Sequence, residues 1–190
     1  MGGAILSFVF MAISARELSI ELNALQILVW RSLTAALIMS LVLCFAGWGQ
    51  IRTKRLGMQV SRGAIHFVAQ YGWFFGITMI PLADVFALEF TAPIWTVIFA
   101  VLFLGERVSF GRLAGVVMGF IGILIVLRPG SEAIEPAAVV VLVSAALYAV
   151  AYVMVKTLTK ADSPLCIMFY MSFVQLGLAA AMSAADWATP

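Results

Sequence analysis

Charge is scarce in this chain. Of its 190 residues, 11% are Asp, Glu, Lys or Arg, and 64% are hydrophobic. A soluble domain is about a quarter charged and about half apolar, so water is excluded as the main solvent of the folded chain. Cysteine is nearly missing. Cys44 and Cys166 lie in separate apolar runs, which leaves no disulfide framework and no metal-ligand spacing. His66 is the one histidine. A multi-histidine metal centre is therefore excluded, and no cofactor is expected. Strict period-two alternation is missing, which argues against a membrane barrel. No basic leader precedes the first apolar run, so no cleavable signal peptide stands out. The net charge is +2, and the basic residues sit in separate loops and form no stripe, so nothing points to nucleic acid and no such partner is expected.

What is present is apolar sequence in long runs, cut by short polar clusters. Seven spans follow, at about 3–15, 24–45, 60–80, 85–104, 113–127, 137–155 and 165–183. A helix needs about 20 apolar residues to cross the hydrocarbon core, and all but the first approach that. The expected fold class is an all-α membrane protein, a multi-pass helical bundle in a lipid bilayer. With the N-terminus inside, Arg52, Lys54, Arg55, Arg62, Arg107, Arg112, Lys156 and Lys160 fall in inner loops. The outer loops hold only Arg16 and Arg128. This is the positive-inside pattern. It predicts a cytoplasmic N-terminus in a membrane of the bacterial inner-membrane type.

The chain also resembles itself. A shift of 140 residues lays Leu25 on Leu165, Ile27 on Ile167, Trp30 on Tyr170 and Ser32 on Ser172, without a gap. The same shift lays Arg16 on Lys156 and Leu18 on Leu158. Span six then falls on span one, so the unit has five spans. Five is odd, so the second copy sits upside down in the membrane. Inverted repeats are characteristic of secondary transporters, with the substrate site near the midplane between the copies. The expected domains are a first five-helix repeat over 3–130 and a partial second repeat of two helices over 137–190. Three further spans would complete a ten-span protein.

A set of motifs stands in fixed order. Tyr71-Gly-Trp-Phe-Phe-Gly-Ile-Thr-Met-Ile-Pro-Leu-Ala-Asp84 is followed by Thr91-Ala-Pro93. A long apolar stretch leads to Leu104-Gly-Glu106-Arg107, then to Gly115, Gly119 and Gly122. This order resembles the EamA-like domain of the drug/metabolite transporter superfamily. The resemblance implies ten helices, two inverted five-helix repeats and a central cavity for small organic metabolites.

Several residues are costly where they stand. Pro93 has no N–H to give the carbonyl of Glu89, four residues back, and its ring crowds that oxygen. Lipid cannot satisfy a released carbonyl, so this stretch is expected to face protein or a cavity. A plain packing kink is the other reading. Glu89 is either an interfacial carboxylate or a cavity acid and proton site. Arg31 lies about seven residues into the second span, where an arginine costs about 2.5–3.5 kcal/mol on insertion scales. It is expected to point inward, with Glu89 as a candidate partner. Its role is a structural ion pair, a snorkelling side chain, or a fork for an anionic substrate. His66, Gln70 and Trp73 share one helix face, and Ser144, Tyr148 and Tyr152 share another. Both read as cavity walls, although a lone histidine is more often packing and Tyr152 also suits an interfacial anchor. Gly111, Gly115 and Gly119 recur every four residues as a packing seam. Its partner is another helix of the chain or a second copy in a homodimer. Glu106 opposes the helix dipole, with Arg107 and Arg112 as the nearest basic partners.

The reading is an integral membrane transporter of a small organic metabolite, working by alternating access, with proton coupling through Glu89 as a hypothesis. A non-transporting membrane subunit is the alternative. An intramembrane enzyme fits less well, because no nucleophile, acid–base pair or metal set is visible.

Overall fold

The computed structural model describes residues 2–127 and 135–184. The described residues form helices and no strands. They are α1 (Gly2–Leu18), α2 (Ala24–Ala46), a 3-10 turn (Trp48–Ile51), α3 (Leu56–Met79), α4 (Leu82–Glu89), α5 (Ala92–Leu104), α6 (Phe110–Leu127), α7 (Pro136–Leu158) and α8 (Pro164–Ser183). α4 and α5 are two halves of one span, so the segments number seven, as expected. Arg128, Glu132 and the end of the chain from residue 185 lie outside the described residues. The segments Ala24–Ala46, Leu82–Leu104, Pro136–Leu158 and Pro164–Ser183 are long and apolar enough to cross a membrane.

The surface is apolar where that of a soluble protein is polar, and polar side chains are buried alongside the apolar core. Phe10, Phe45, Phe103, Phe110 and Met118 are each more than 60% exposed. Ser32, Gln59, Arg62, Gln70, Ser144, Ser172 and Gln175 are buried. Lipid accepts apolar side chains and refuses unsatisfied polar ones, so the polar residues of the spans turn inward.

The α4/α5 break sits where the sequence put it. Pro93 takes the second position of α5, where a missing N–H costs little. Thr91 bridges the gap, with its Oγ1 donating to the Leu88 carbonyl at 2.6 Å. At the far end, Gly105 adopts a left-handed conformation (φ 64°) that stops α5. The Glu106 N–H then returns to the Ala100 carbonyl at 3.4 Å. This turn carries Glu106 to Lys156 of α7, with which it pairs. Arg107 and Arg112 are its nearest basic residues in sequence; Lys156 joins it because the α5–α6 connection lies over the end of α7, a neighbourhood that sequence distance hides.

The α1–α2 and α7–α8 turns share one hydrogen-bond pattern 140 residues apart. The Leu22 N–H reaches the Leu18 carbonyl at 2.8 Å, and the Asp162 N–H reaches the Leu158 carbonyl at 2.9 Å. Asn23 Oδ1 caps the Gln26 N–H at 2.9 Å, and Ser163 Oγ caps the Cys166 N–H at 3.1 Å. Ser32, Met39 and Leu43 are buried on α2, and Ser172, Ala179 and Ser183 at the same shift on α8. The two helices run antiparallel, because the start of α8 meets the chain just beyond α2. Ser163 Oγ donates to the Gln50 carbonyl at 3.3 Å, and Tyr170 Oη to the Ile51 carbonyl at 3.2 Å.

α3 is the central helix. It packs antiparallel to α7 and parallel to α8. Glycine makes the α3–α7 approach close: a methyl at Gly76 would overlap the Val141 side chain, and one at Gly72 would overlap Ser144 Oγ. Gly76→Ala is expected to cost about 1–3 kcal/mol through overpacking. A melting curve in detergent checks this, and an unchanged Tm would contradict the close approach.

Candidate functional site

α3 presents Arg62, His66, Gln70 and Trp73 at helical spacing on one inward face. The sequence reading found three of these. Arg62 was counted as a loop charge, yet it is 7% exposed and stands inside the bundle. Its Nη2 lies 3.5 Å from Met171 Sδ of α8. Nε and Nη1 are enclosed and have no hydrogen-bond partner among the described residues.

His66 sits where three helices meet. Its Nδ1 is 2.7 Å from Gln175 Nε2 of α8. With the amide donating, the ring proton is assigned to Nε2. The ring stands edge-on to Tyr148 of α7, with centroids 5.0 Å apart. Tyr148 in turn stacks on Tyr152 at 6.3 Å and 13°. Gln175 belongs to the site and carries no motif in the sequence. The one available signal was a lone glutamine in the seventh apolar run.

Arg31 and Glu89 do not form the expected ion pair among the described residues. Each instead lies within electrostatic reach of Tyr148. Tyr152 lies within reach of Glu89 and Arg62. Glu89 keeps one oxygen, Oε2, enclosed and without a hydrogen bond. Gln70 Oε1 and Trp73 Nε1 are in the same condition. A buried polar atom without a partner is costly. Several around one centre set this region apart from ordinary core.

Two cavities flank that centre. A cavity of about 420 Å³ lies between α1, α2 and α3, with Ser14, Trp30, Arg31, Thr34 and Phe74 in its wall. A larger apolar groove of about 900 Å³ runs between the α4/α5 break and α6, reached by Phe90, Pro93 and Tyr152. Gly115 and Gly119 line this groove, and neither they nor Gly111 have an atom within 4 Å of where a Cβ would sit. The glycine row thus meets open space here, and no close helix partner within the described residues uses it as a seam. Pro93 likewise lies on the groove wall, beside the break it causes. Among the described residues, no three metal-ligating side chains come together.

The comparisons with known proteins agree with this architecture. The chain matches the EamA-like transporter family over residues 2–128. It is 24% identical over 178 residues to the S-adenosylmethionine uptake transporter of Rickettsia felis, covering 94% of this chain and 60% of that protein. It is 33% identical over 158 residues to the riboflavin transporter of Brucella anthropi, covering 83% of this chain and 54% of that protein. The chain thus spans 54–60% of the length of these curated relatives. A solved crystal structure superposes with a TM-score of 0.68 at 16% identity, covering 97% of this chain and 64% of that one, a likeness of fold alone. An all-helical, multi-pass membrane bundle with this family match belongs to the EamA-like transporter family.

Proposed function

We propose that the complete protein moves a small organic metabolite across the bacterial inner membrane by alternating access. The observation that supports this best is the polar centre around His66 and Tyr148, enclosed by an exterior that suits lipid. Two charges of opposite sign, Arg31 and Glu89, lie within electrostatic reach of Tyr148, and an aromatic stack continues to Tyr152. A planar aromatic group suits the tyrosine faces, and an anionic group suits the Arg31 fork. The named relatives carry S-adenosylmethionine and riboflavin. Both molecules join a fused nitrogen ring system to a polar tail, and we propose a substrate of that general kind.

The two halves are read as inverted copies. The shared turn geometry at a shift of 140 residues and the antiparallel α2 and α8 support this. The N-terminus is placed in the cytoplasm on the positive-inside rule. Arg52, Arg55, Lys156 and Lys160 then share the cytoplasmic end. Proton coupling through Glu89 belongs to the same proposal, as does the view that the protein is a carrier and not an enzyme.

Arg31→Ala tests the substrate contact. A charge-assisted hydrogen bond contributes about 1.5–3 kcal/mol, so the apparent KM of an anionic substrate is expected to rise about 10- to 150-fold. The Tm should stay near that of the wild type. Saturable uptake with an unaltered KM would remove Arg31 from the site.

A further inference from the structure

The two ends of the bundle are closed by different chemistry. At the end carrying the basic loops, Asp162 of the α7–α8 turn is 8% exposed. Its Oδ2 accepts Thr53 Oγ1 at 2.8 Å and Gln59 Nε2 at 2.8 Å. One carboxylate thus ties that turn to the α2–α3 connection and to α3, more than 100 residues away in the chain. At the opposite end, among the described residues, the side-chain hydrogen bonds are local, as from Ser19 to Arg16 and from Thr78 to Phe75. The α1–α2 turn there has the same backbone hydrogen bonds, but Leu22 stands at the place of Asp162 and packs on the apolar core. Leu22 also borders the cavity that holds Arg31.

We propose that Asp162, with Thr53 and Gln59, is a latch that holds the basic end shut. The proposal rests on the transporter reading. An apolar contact can slide and re-form, whereas a buried carboxylate accepting two directed donors is either made or broken. That gives one end a discrete closed state, and the cavity with Arg31 marks the other end as the accessible one. Release of the Asp162 contacts is the step that admits solvent from the basic side. The two turns differ at this position because only one copy of the repeat carries the latch.

The native Cys166 is a reporter. It is buried, with Sγ 3.9 Å from Gln59 Nε2, one turn beyond Asp162. The full-length protein, with Cys44→Ser, is reconstituted in vesicles. A membrane-impermeant maleimide is applied on the side of the basic loops. Labelling of Cys166 is expected to be at least tenfold faster in Asp162→Ala and in Thr53→Ala than in the parent. In a second background, with Cys166→Ser and Thr34→Cys, labelling from the opposite side is expected to fall in the same two variants. The reciprocal change is the signature of a gate. Equal labelling in parent and variants, or a rise at both ends together, overturns the latch; the latter marks a purely structural tie. Labelling needs no substrate. A reciprocal shift without metabolite movement would therefore fail the transport reading alone, and transport with unchanged labelling would fail the latch alone.

Discussion

Glu89→Gln is expected to fold normally and to lose the response of transport to a pH gradient. Glutamine keeps the shape and the hydrogen-bonding reach of the side chain but cannot change its charge. Glu89 has no ion-pair partner among the described residues, and one of its oxygens is enclosed without a hydrogen bond. Its charge is felt at Tyr148 and Tyr152, the aromatic wall of the site. A carboxyl group so placed, on the broken span, is the group to which the proposed coupling assigns the proton. A one-unit pH gradient is worth about 1.4 kcal/mol, which supports about tenfold accumulation for one proton per substrate. The wild-type protein in vesicles should reach about that ratio, and Glu89→Gln should only equilibrate. Accumulation by the variant equal to the wild type would exclude Glu89 as the coupling group.

Trp73→Ala is expected to be the most damaging single change to folding. Trp73 is 2% exposed and packs against Phe8 of α1 at 5.5 Å and Phe74 at 5.4 Å. Removing such a side chain costs about 3–5 kcal/mol. At this chain length that corresponds to a fall in Tm of about 6–20 °C. Trp73→Phe retains most of the volume and deletes an indole N–H that has no partner, so its Tm should lie within a few degrees of the wild type. If both variants melt alike, Trp73 is not the core residue that its burial implies.

The sequence made the spans legible because hydropathy and length follow directly from the thickness of a bilayer. The α4/α5 break was legible for a covalent reason, since Pro93 has no N–H wherever it stands. The α3 boundary was less so. The helix begins at Leu56, not near residue 60, because Gln59 and Arg62 interrupt the apolar run while their side chains turn inward. That same interruption hid Arg62 from the site. Contacts between distant segments were not legible at all. Arg31 and Glu89 were paired because both lie in the outer half, but among the described residues they form no ion pair. Glu106 found Lys156, and Asp162 found Thr53 and Gln59, through approaches that only the packed helices define. The glycine row of α6, where side-chain bulk is missing, was read as a packing seam. What that space accepts depends on geometry, and among the described residues it borders a groove.

The central claim is that α2 and α8 are equivalent helices of opposite direction facing one shared path. Ser32 and Ser172 occupy matching positions, and both are buried, at 2% and 4% exposure. With the native cysteines replaced by serine, Ser32→Cys and Ser172→Cys can be compared in oriented vesicles of the complete, actively exchanging protein, using a small water-soluble thiol reagent. Ser32→Cys should react from the side of Arg16, and Ser172→Cys from the side of the basic loops. Reaction of both from one side only, or of neither except with lipid-soluble reagents, would contradict the account.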